Sequence, residues 1–373
     1  MGNGDLPEFD EFLAGWISYL GEMKGCHAGE LLREAQAMLR DEDVGLENAR
    51  KYVGNHPALF EQMLRAKLDS GENEKMLEIG REALDKIPYS YTVRSEIALL
   101  TAEYACKLQD KAAMETCWLE AFRSNSTVVN YFRIRTRAEN WAKYKDDVKA
   151  IYERTYEESK EKSGRGYAVH DMNKQRAKHL QEQDYLAILF FEEQFGKVIE
   201  IGMKEKNALG WSPTFMKQGM ALFLLLLYNA RDDGELSAGL RAMLRWAFDA
   251  CKFKAEEYFR GTGVQNNTGD YDVFWKLFCK WKENVQISED QKNEWLDKID
   301  KWVELRVKGI MDGSKRNYYG ECASYIAALG EVQDSVGVFC AKERIMERYK
   351  NEYSRRRAFH QELRGYGMKK NLQ

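Results

Sequence analysis

Apolar residues recur at steps of three and four over most of the chain, which is the period of an amphipathic α-helix. The first such stretch runs from Glu8 to Met23. Further helices are predicted over 29–40, 58–68 and 73–86, with the last one ending before Pro88. No stretch shows sustained strand-like alternation, so the pattern predicts an all-α fold.

The same period continues in the second half of the chain. It predicts one long helix over 235–259, a loop from Gly261 to Gly269, and a helix over 271–282. Ser288, followed by two acidic residues, is typical of a helix start, where a hydroxyl and negative charge meet unpaired amides. The next helix is expected to bury one face, formed by Trp295, Ile299 and Trp302.

The sequence pattern indicates one repeated helical hairpin. Residues 68–84 align with 106–122 at an offset of 38 residues, with helix, polar turn and helix in the same order. A further similarity pairs residues 198–202 with residues 76–80. Residues 198–202 also follow a helix and a turn, at 185–196. This offset falls in the range of helical-hairpin repeats. The sequence therefore predicts a tetratricopeptide-like helical-hairpin repeat array, an α-solenoid, divided into two halves.

A polar stretch separates these two halves. Residues 160–178 include Ser163-Gly164-Arg165-Gly166 and predict a linker or loop. We therefore predict an N-terminal helical array over 1–159 and a C-terminal array over 179–373, which ends in a basic helix.

Composition restricts the classes of function. A net charge of −3 argues against a domain dedicated to coating nucleic acid. The longest apolar run, 220–228, is half of a membrane span, so we expect a buried helix and no membrane association. Seven widely spaced cysteines predict reduced thiols, and residues 1–6 lack the features of a signal peptide, so a cytoplasmic location is expected.

Motifs for catalysis or metal binding are not found in the sequence. Cys26 and His27 are adjacent, without the paired Cys-x-x-Cys spacing of a structural zinc site. There is no Glu-x-x-His, no Gly-x-Ser-x-Gly, and no P-loop continuation after Gly164-x-Gly166. We therefore expect a protein that is not an enzyme and holds no metal or cofactor.

The C-terminal residues 341–373 are basic, with ten Lys or Arg against four Glu. Arg355, Arg356 and Arg357 are contiguous, and four aromatic residues are interleaved: Tyr349, Tyr353, Phe359 and Tyr366. Such a stripe could hold phosphates. In the interpretation we favour, the cations complement a helix C-terminus while the aromatic residues pack inward.

Several segments, in their order and separation, resemble the helical region that accompanies the zinc finger in bacterial SWIM zinc-finger proteins. They are Ile87-Pro88 with Arg94, Glu120-Ala121-Phe122, Leu209-Gly210-Trp211-Ser212, Arg316-Asn317-Tyr318, and Arg355-Arg356-Arg357-Ala358-Phe359 with Leu363. The zinc motif itself, Cys-x-Cys followed by Cys-x-His, is absent from this sequence. The resemblance therefore implies a helical scaffold, and its zinc binding is not carried over.

These observations favour a non-catalytic scaffold whose hairpin array binds a protein or peptide partner. The alternative is a nucleic-acid-binding accessory protein that uses the basic C-terminal stripe. The candidate residues for contact with a partner or an anion are Trp211, Arg316, Tyr318, Arg355, Arg356 and Arg357.

Overall fold

The computed structural model describes residues 8–163, 180, 182–203, 215–229 and 236–369. These residues form α-helices, one short 3₁₀ helix and connecting turns, and no β-strand occurs among them. This confirms the predicted all-α class. No helix in the described part of the chain is both long enough and apolar enough to cross a bilayer.

The α-helices range from 5 to 24 residues in length. Their bounds are α1 Phe9–Glu22, α2 Cys26–Ala37, α3 Glu42–Lys51, α4 Ala58–Ala66, α5 Asn73–Lys86, α6 Val93–Lys107, α7 Lys111–Ser124, α8 Val128–Arg137, α9 Trp141–Ser163, α10 Glu182–Phe191, α11 Phe195–Met203, α12 Phe215–Leu227, α13 Ala238–Cys251, α14 Ala255–Phe259, α15 Asp270–Lys282, α16 Glu289–Asp312, α17 Tyr319–Ser335, α18 Ala341–Glu352 and α19 Arg357–Gly365. The 3₁₀ helix, Arg316–Tyr318, precedes α17.

The chain divides into two compact units. Unit 1 is drawn from residues 1–181 and 256–267, and unit 2 from residues 182–255 and 268–373. Residues 256–267 thus belong to unit 1, although the sequence on either side of them belongs to unit 2. Of the predicted linker, residues 160–163 continue α9 and the remainder lies outside the described residues.

Helix α6 lies at the centre of unit 1, where it packs against α4, α5 and α7. Most of its residues are buried, so it has no wide solvent-facing stripe. The crossing with α5 is close because Gly80 has no side chain. A Cβ atom at Gly80 would lie 2.2 Å from Oγ1 of Thr101. Neighbouring helices therefore provide most of the cover for α6.

The three hairpins aligned in the sequence share a backbone feature. Gly71, Gln109 and Glu193 all have positive φ, at 82°, 58° and 59°. Each lies two residues before the second helix of its hairpin, which is α5, α7 or α11. Gln109 lies 38 residues after Gly71, which is also the offset between the aligned hairpins. Because non-glycine residues rarely adopt this conformation, the shared position marks a common turn geometry.

The core of unit 2 is a cluster of aromatic side chains. The ring centre of Phe190 lies within 5.4 Å of four others, in Phe191, Phe195, Phe223 and Trp281. Trp281 closes the cluster and donates a hydrogen bond from Nε1 to the carbonyl of Phe191, at 2.9 Å. Residues 220–227 of α12 are buried, as predicted for the apolar run.

The predicted long helix over 235–259 is wrong. Helix α13 ends at Cys251, Lys252 is left-handed with a φ of 46°, and α14 begins at Ala255. The break turns Phe253 into the interior, where it is 1% exposed and its ring lies 5.5 Å from that of Phe274. Burial of this aromatic side chain outweighs the local preference for a continuous helix.

Replacement of Phe190 by Ala should strongly destabilise unit 2. Phe190 is fully buried, so the variant loses transfer free energy and leaves a cavity, which together cost about 3–5 kcal/mol. Phe12→Ala is the matched control, because Phe12 is 65% exposed and its replacement should cost less than about 0.5 kcal/mol. Urea unfolding of the full chain measures both, and equal losses would contradict the packing described.

Candidate functional site

Two connections of unit 2 meet at a surface that we call the basic corner, defined by Lys315, Arg316, Arg355, Arg356 and Arg357. The first connection joins α16 to α17 and the second joins α18 to α19. Nη2 of Arg356 donates hydrogen bonds across them, to the carbonyl of Met311 at 2.9 Å and to Oγ of Ser314 at 3.2 Å. The structure therefore brings the two predicted segments, 316–318 and 355–357, to the same corner.

The three contiguous arginines have different environments. Arg355 and Arg357 are exposed, whereas Arg356 is half-buried and donates to the carbonyl of Met311 at the end of α16. A cation at a helix C-terminus is favourable both as a hydrogen-bond donor and against the helix dipole. Arg356 thus stabilises the fold, and the accessible cations at this corner include Arg316, Arg355 and Arg357.

The aromatic residues near this corner face inward. Tyr349 and Phe359 are buried, and the ring of Tyr353 lies 6.2 Å from that of Phe359. Burial raises the pKa of the Tyr353 hydroxyl, and the neighbouring Glu352 acts in the same direction. Tyr349 and Phe359 therefore cannot serve as a stacking platform for bases, and these two rings pack inward as expected, whereas Tyr353 and Tyr366 are half-buried.

Tyr318 and Trp211 complete the predicted set. Tyr318 is half-buried, and the guanidinium of Arg306 lies 5.4 Å from the centre of its ring. Arg306 is itself buried and pairs with Glu321 at 2.7 Å, so this part of the corner is rigidly supported. Trp211 lies outside the described residues.

A second surface, in unit 1, is a cleft of about 270 Å³ between α2, α3, α4 and α5. We call it the α2–α5 cleft. Its apolar lining is formed by Leu46, Leu59, Met63, Met76 and Ile79. The volume suits one or two apolar side chains of a guest, and it is smaller than the usual range for small-molecule sites, about 300–1,000 Å³.

The rim of this cleft is charged. Nζ of Lys67 pairs with Glu42 and lies 3.2 Å from Glu72, and Nζ of Lys75 lies 3.8 Å from Asp43. The hydrogen bond that Lys67 donates to the Glu42 carboxylate is the largest cause of the raised pKa of Lys67. Such exposed ion pairs contribute only about 0–1 kcal/mol each, so an incoming charged group can replace them.

Carboxylates outnumber ammonium groups on this rim. The carboxylates belong to Asp41, Glu42, Asp43 and Glu72, and the ammonium groups to Lys67 and Lys75. The sequence did not indicate the cleft because α3, which supplies one wall, was not predicted. The sequence signal for α3 is weak. The side chain of Asp41 caps this helix at the amide of Asp43, but few apolar residues follow.

Within residues 8–163, 180, 182–203, 215–229 and 236–369, no three His, Cys, Asp or Glu side chains are placed to hold a metal ion. Cys117, Cys251 and Cys322 are buried, and burial raises the pKa of each thiol. These three thiols are therefore protonated at neutral pH and are poor nucleophiles.

Comparison of the chain with protein-family models, curated proteins and solved structures finds no match in any of the three sets. The resemblance to the SWIM-associated helical region therefore stays a prediction.

Replacement of Arg356 by Ala should destabilise the chain by about 1.5–3 kcal/mol, the range for hydrogen bonds made by a charged group. Arg355→Ala removes the same charge from a neighbouring exposed position and should change stability by less than about 0.5 kcal/mol. Urea unfolding of the two variants tests the assignment. Equal stabilities would show that Arg356 does not support the end of α16.

Proposed function

We propose that this protein is a non-catalytic helical scaffold that binds a peptide segment of a protein partner in the α2–α5 cleft. The observation that carries the proposal is an apolar floor bounded by exposed ion pairs, which a guest can exchange for its own. Helical-hairpin arrays commonly present such surfaces between successive helices. The shared left-handed turn residues support a tetratricopeptide-like array as the scaffold.

The chemistry of the cleft defines the partner. The excess of carboxylates on the rim favours a segment that carries Lys or Arg beside its apolar anchor residues. Met63 and Met76 supply flexible thioether side chains, which adapt to guests of different shape. We therefore propose a basic, amphipathic peptide segment as the ligand. The resemblance to SWIM-associated helical regions is consistent with a scaffold role.

Selection from a displayed library of random peptides, with the full chain as bait, tests this proposal. We expect enriched peptides with apolar anchors flanked by Lys or Arg. For synthetic copies of these peptides, Met63→Glu should weaken binding at least about tenfold, which is 1.4 kcal/mol, by placing a charge on the apolar floor. Fluorescence anisotropy measures the dissociation constants.

Met38→Glu is the matched control, because Met38 is 57% exposed and lies outside the cleft lining. It should change binding by less than about twofold, as expected for a surface substitution with an effect below about 0.5 kcal/mol. Circular dichroism confirms that both variants are folded. Failure to enrich any peptide, or equal losses in the two variants, would remove the α2–α5 cleft as the binding site.

Nucleic-acid binding at the basic corner is the second candidate function. It is favoured by the exposure of Arg316, Arg355 and Arg357 at one corner of unit 2. It requires binding to duplex or single-stranded DNA that weakens steeply with salt and is lost in the double variant Arg355→Ala/Arg357→Ala. This pair omits Arg356, whose replacement would disturb the fold as well.

A further inference from the structure

Residues 256–267 lie on a surface of unit 1 formed by α6, α7 and α8; we call them the captured segment. Nε1 of Trp118 on α7 donates a hydrogen bond to the carbonyl of Gly261, at 2.8 Å. Nε of Arg133 on α8 donates to the carbonyl of Tyr258, at 3.1 Å, and its Nη2 donates to the carbonyl of Glu257. Two helices that lie more than 120 residues away in sequence therefore bind the main chain of the segment.

Arg133 is the most deeply buried of these anchors. Its side chain is fully buried, and burial lowers the pKa of its guanidinium to about 9. A buried charge is tolerated only where hydrogen-bond acceptors surround it. Two of the acceptors are carbonyl oxygens of the captured segment, at Glu257 and Tyr258, and a third is Oδ1 of Asn130. Removal of the segment would leave much of this charge without acceptors.

Glycine is required at two positions of the captured segment. Gly261 has a φ of 66°, and a Cβ atom there would lie 2.8 Å from Cβ of Ala102 and 2.9 Å from the carbonyl oxygen of Leu99. Gly263 has a φ of 69°, and its Cβ would lie 2.2 Å from Sγ of Cys106. Because other residues are disfavoured in this conformation and would clash with α6, the surface selects for Gly-x-Gly.

The residues before the glycines are also recognised. Arg260 pairs with Glu96 on α6 at 2.7 Å. The hydroxyl of Tyr258 lies 2.8 Å from Oγ1 of Thr136, and the guanidinium of Arg137 lies 5.4 Å from the centre of the Phe259 ring. The surface thus contacts, in chain order, two aromatic residues, an arginine and a Gly-x-Gly sequence.

We propose that the α6–α8 surface is a peptide-recognition site for segments with the order aromatic, aromatic, Arg, Gly, any residue, Gly. In this structure the chain's own residues fill the site, and a protein partner that carries the same order of residues binds there when this segment is released. The recognition rests on main-chain carbonyls, close-packed glycines and one ion pair, all of which a peptide in trans can supply. This site is separate from the α2–α5 cleft and does not depend on it.

Tethering favours the captured segment over an external peptide. A covalently linked ligand has an effective concentration of the order of millimolar, so a micromolar peptide cannot displace it from the wild-type chain. The test therefore weakens binding of the chain's own segment and supplies the same sequence as a separate peptide. Gly261→Val in the full chain introduces the clash with α6 and disfavours the required backbone conformation.

The probe is a fluorescent synthetic peptide that copies residues 254–267 of the wild-type sequence. We expect it to bind the Gly261→Val chain at least about tenfold more tightly than the wild-type chain, measured by fluorescence anisotropy. The same peptide with Val in place of Gly261 should not bind. Addition of Trp118→Phe to the Gly261→Val chain should weaken binding several-fold, because the hydrogen bond to the carbonyl is lost.

Arg260→Glu in the full chain is a second way to weaken the segment, since it places a carboxylate against Glu96, and it serves if Gly261→Val does not fold. Met63→Glu should leave peptide binding to either weakened chain unchanged, which separates this site from the α2–α5 cleft. The proposal is overturned if a folded, weakened chain fails to bind the peptide, if the wild-type chain binds it equally well, or if the Val-containing peptide binds as tightly.

Discussion

The structure of unit 1 depends on how the central helix α6 is covered. An isolated hairpin leaves apolar surface exposed on both of its faces, and only neighbouring elements can remove that surface from water. For α6, three helices provide part of the cover. The backbone of Gly261 and Gly263 provides another part, close to Ala102 and Cys106. A segment distant in sequence therefore completes the packing of this helix.

The two proposed binding surfaces of unit 1 differ in the free energy that it costs to open them. The α2–α5 cleft is rimmed by exposed ion pairs, as between Lys67 and Glu42, which open at low cost. The α6–α8 surface instead relies on the buried guanidinium of Arg133 and on close packing, which are costly to disturb. In our proposals, an accessible peptide site and an occupied one therefore coexist in unit 1, and each is recognisable by its chemistry.

Local signals in the sequence predicted the helices well where strong start and stop signals flank them. The helix over 73–86 was predicted with its observed bounds because Gly71 precedes it and Pro88 follows. The break after Cys251 was missed because it arises from tertiary burial of Phe253. The capture of residues 256–267 has no local signal either, since nothing near Gly261 in sequence shows which helices it contacts. Arg316 and Arg355 to Arg357 were among the predicted candidates, but their meeting at one corner and the hydrogen bond of Arg356 to the end of α16 needed the structure.

Hydrogen exchange of the full chain, read by mass spectrometry, tests most directly whether Arg133 holds the captured segment. The Arg133→Met variant places an unbranched apolar side chain at this position and removes the Arg133 donors to the carbonyls of Glu257 and Tyr258. The account predicts exchange at least about tenfold faster across residues 256–267, with α6 and α7 still protected, because local opening of the segment becomes easier. Unchanged protection of residues 256–267 in the folded variant would contradict it.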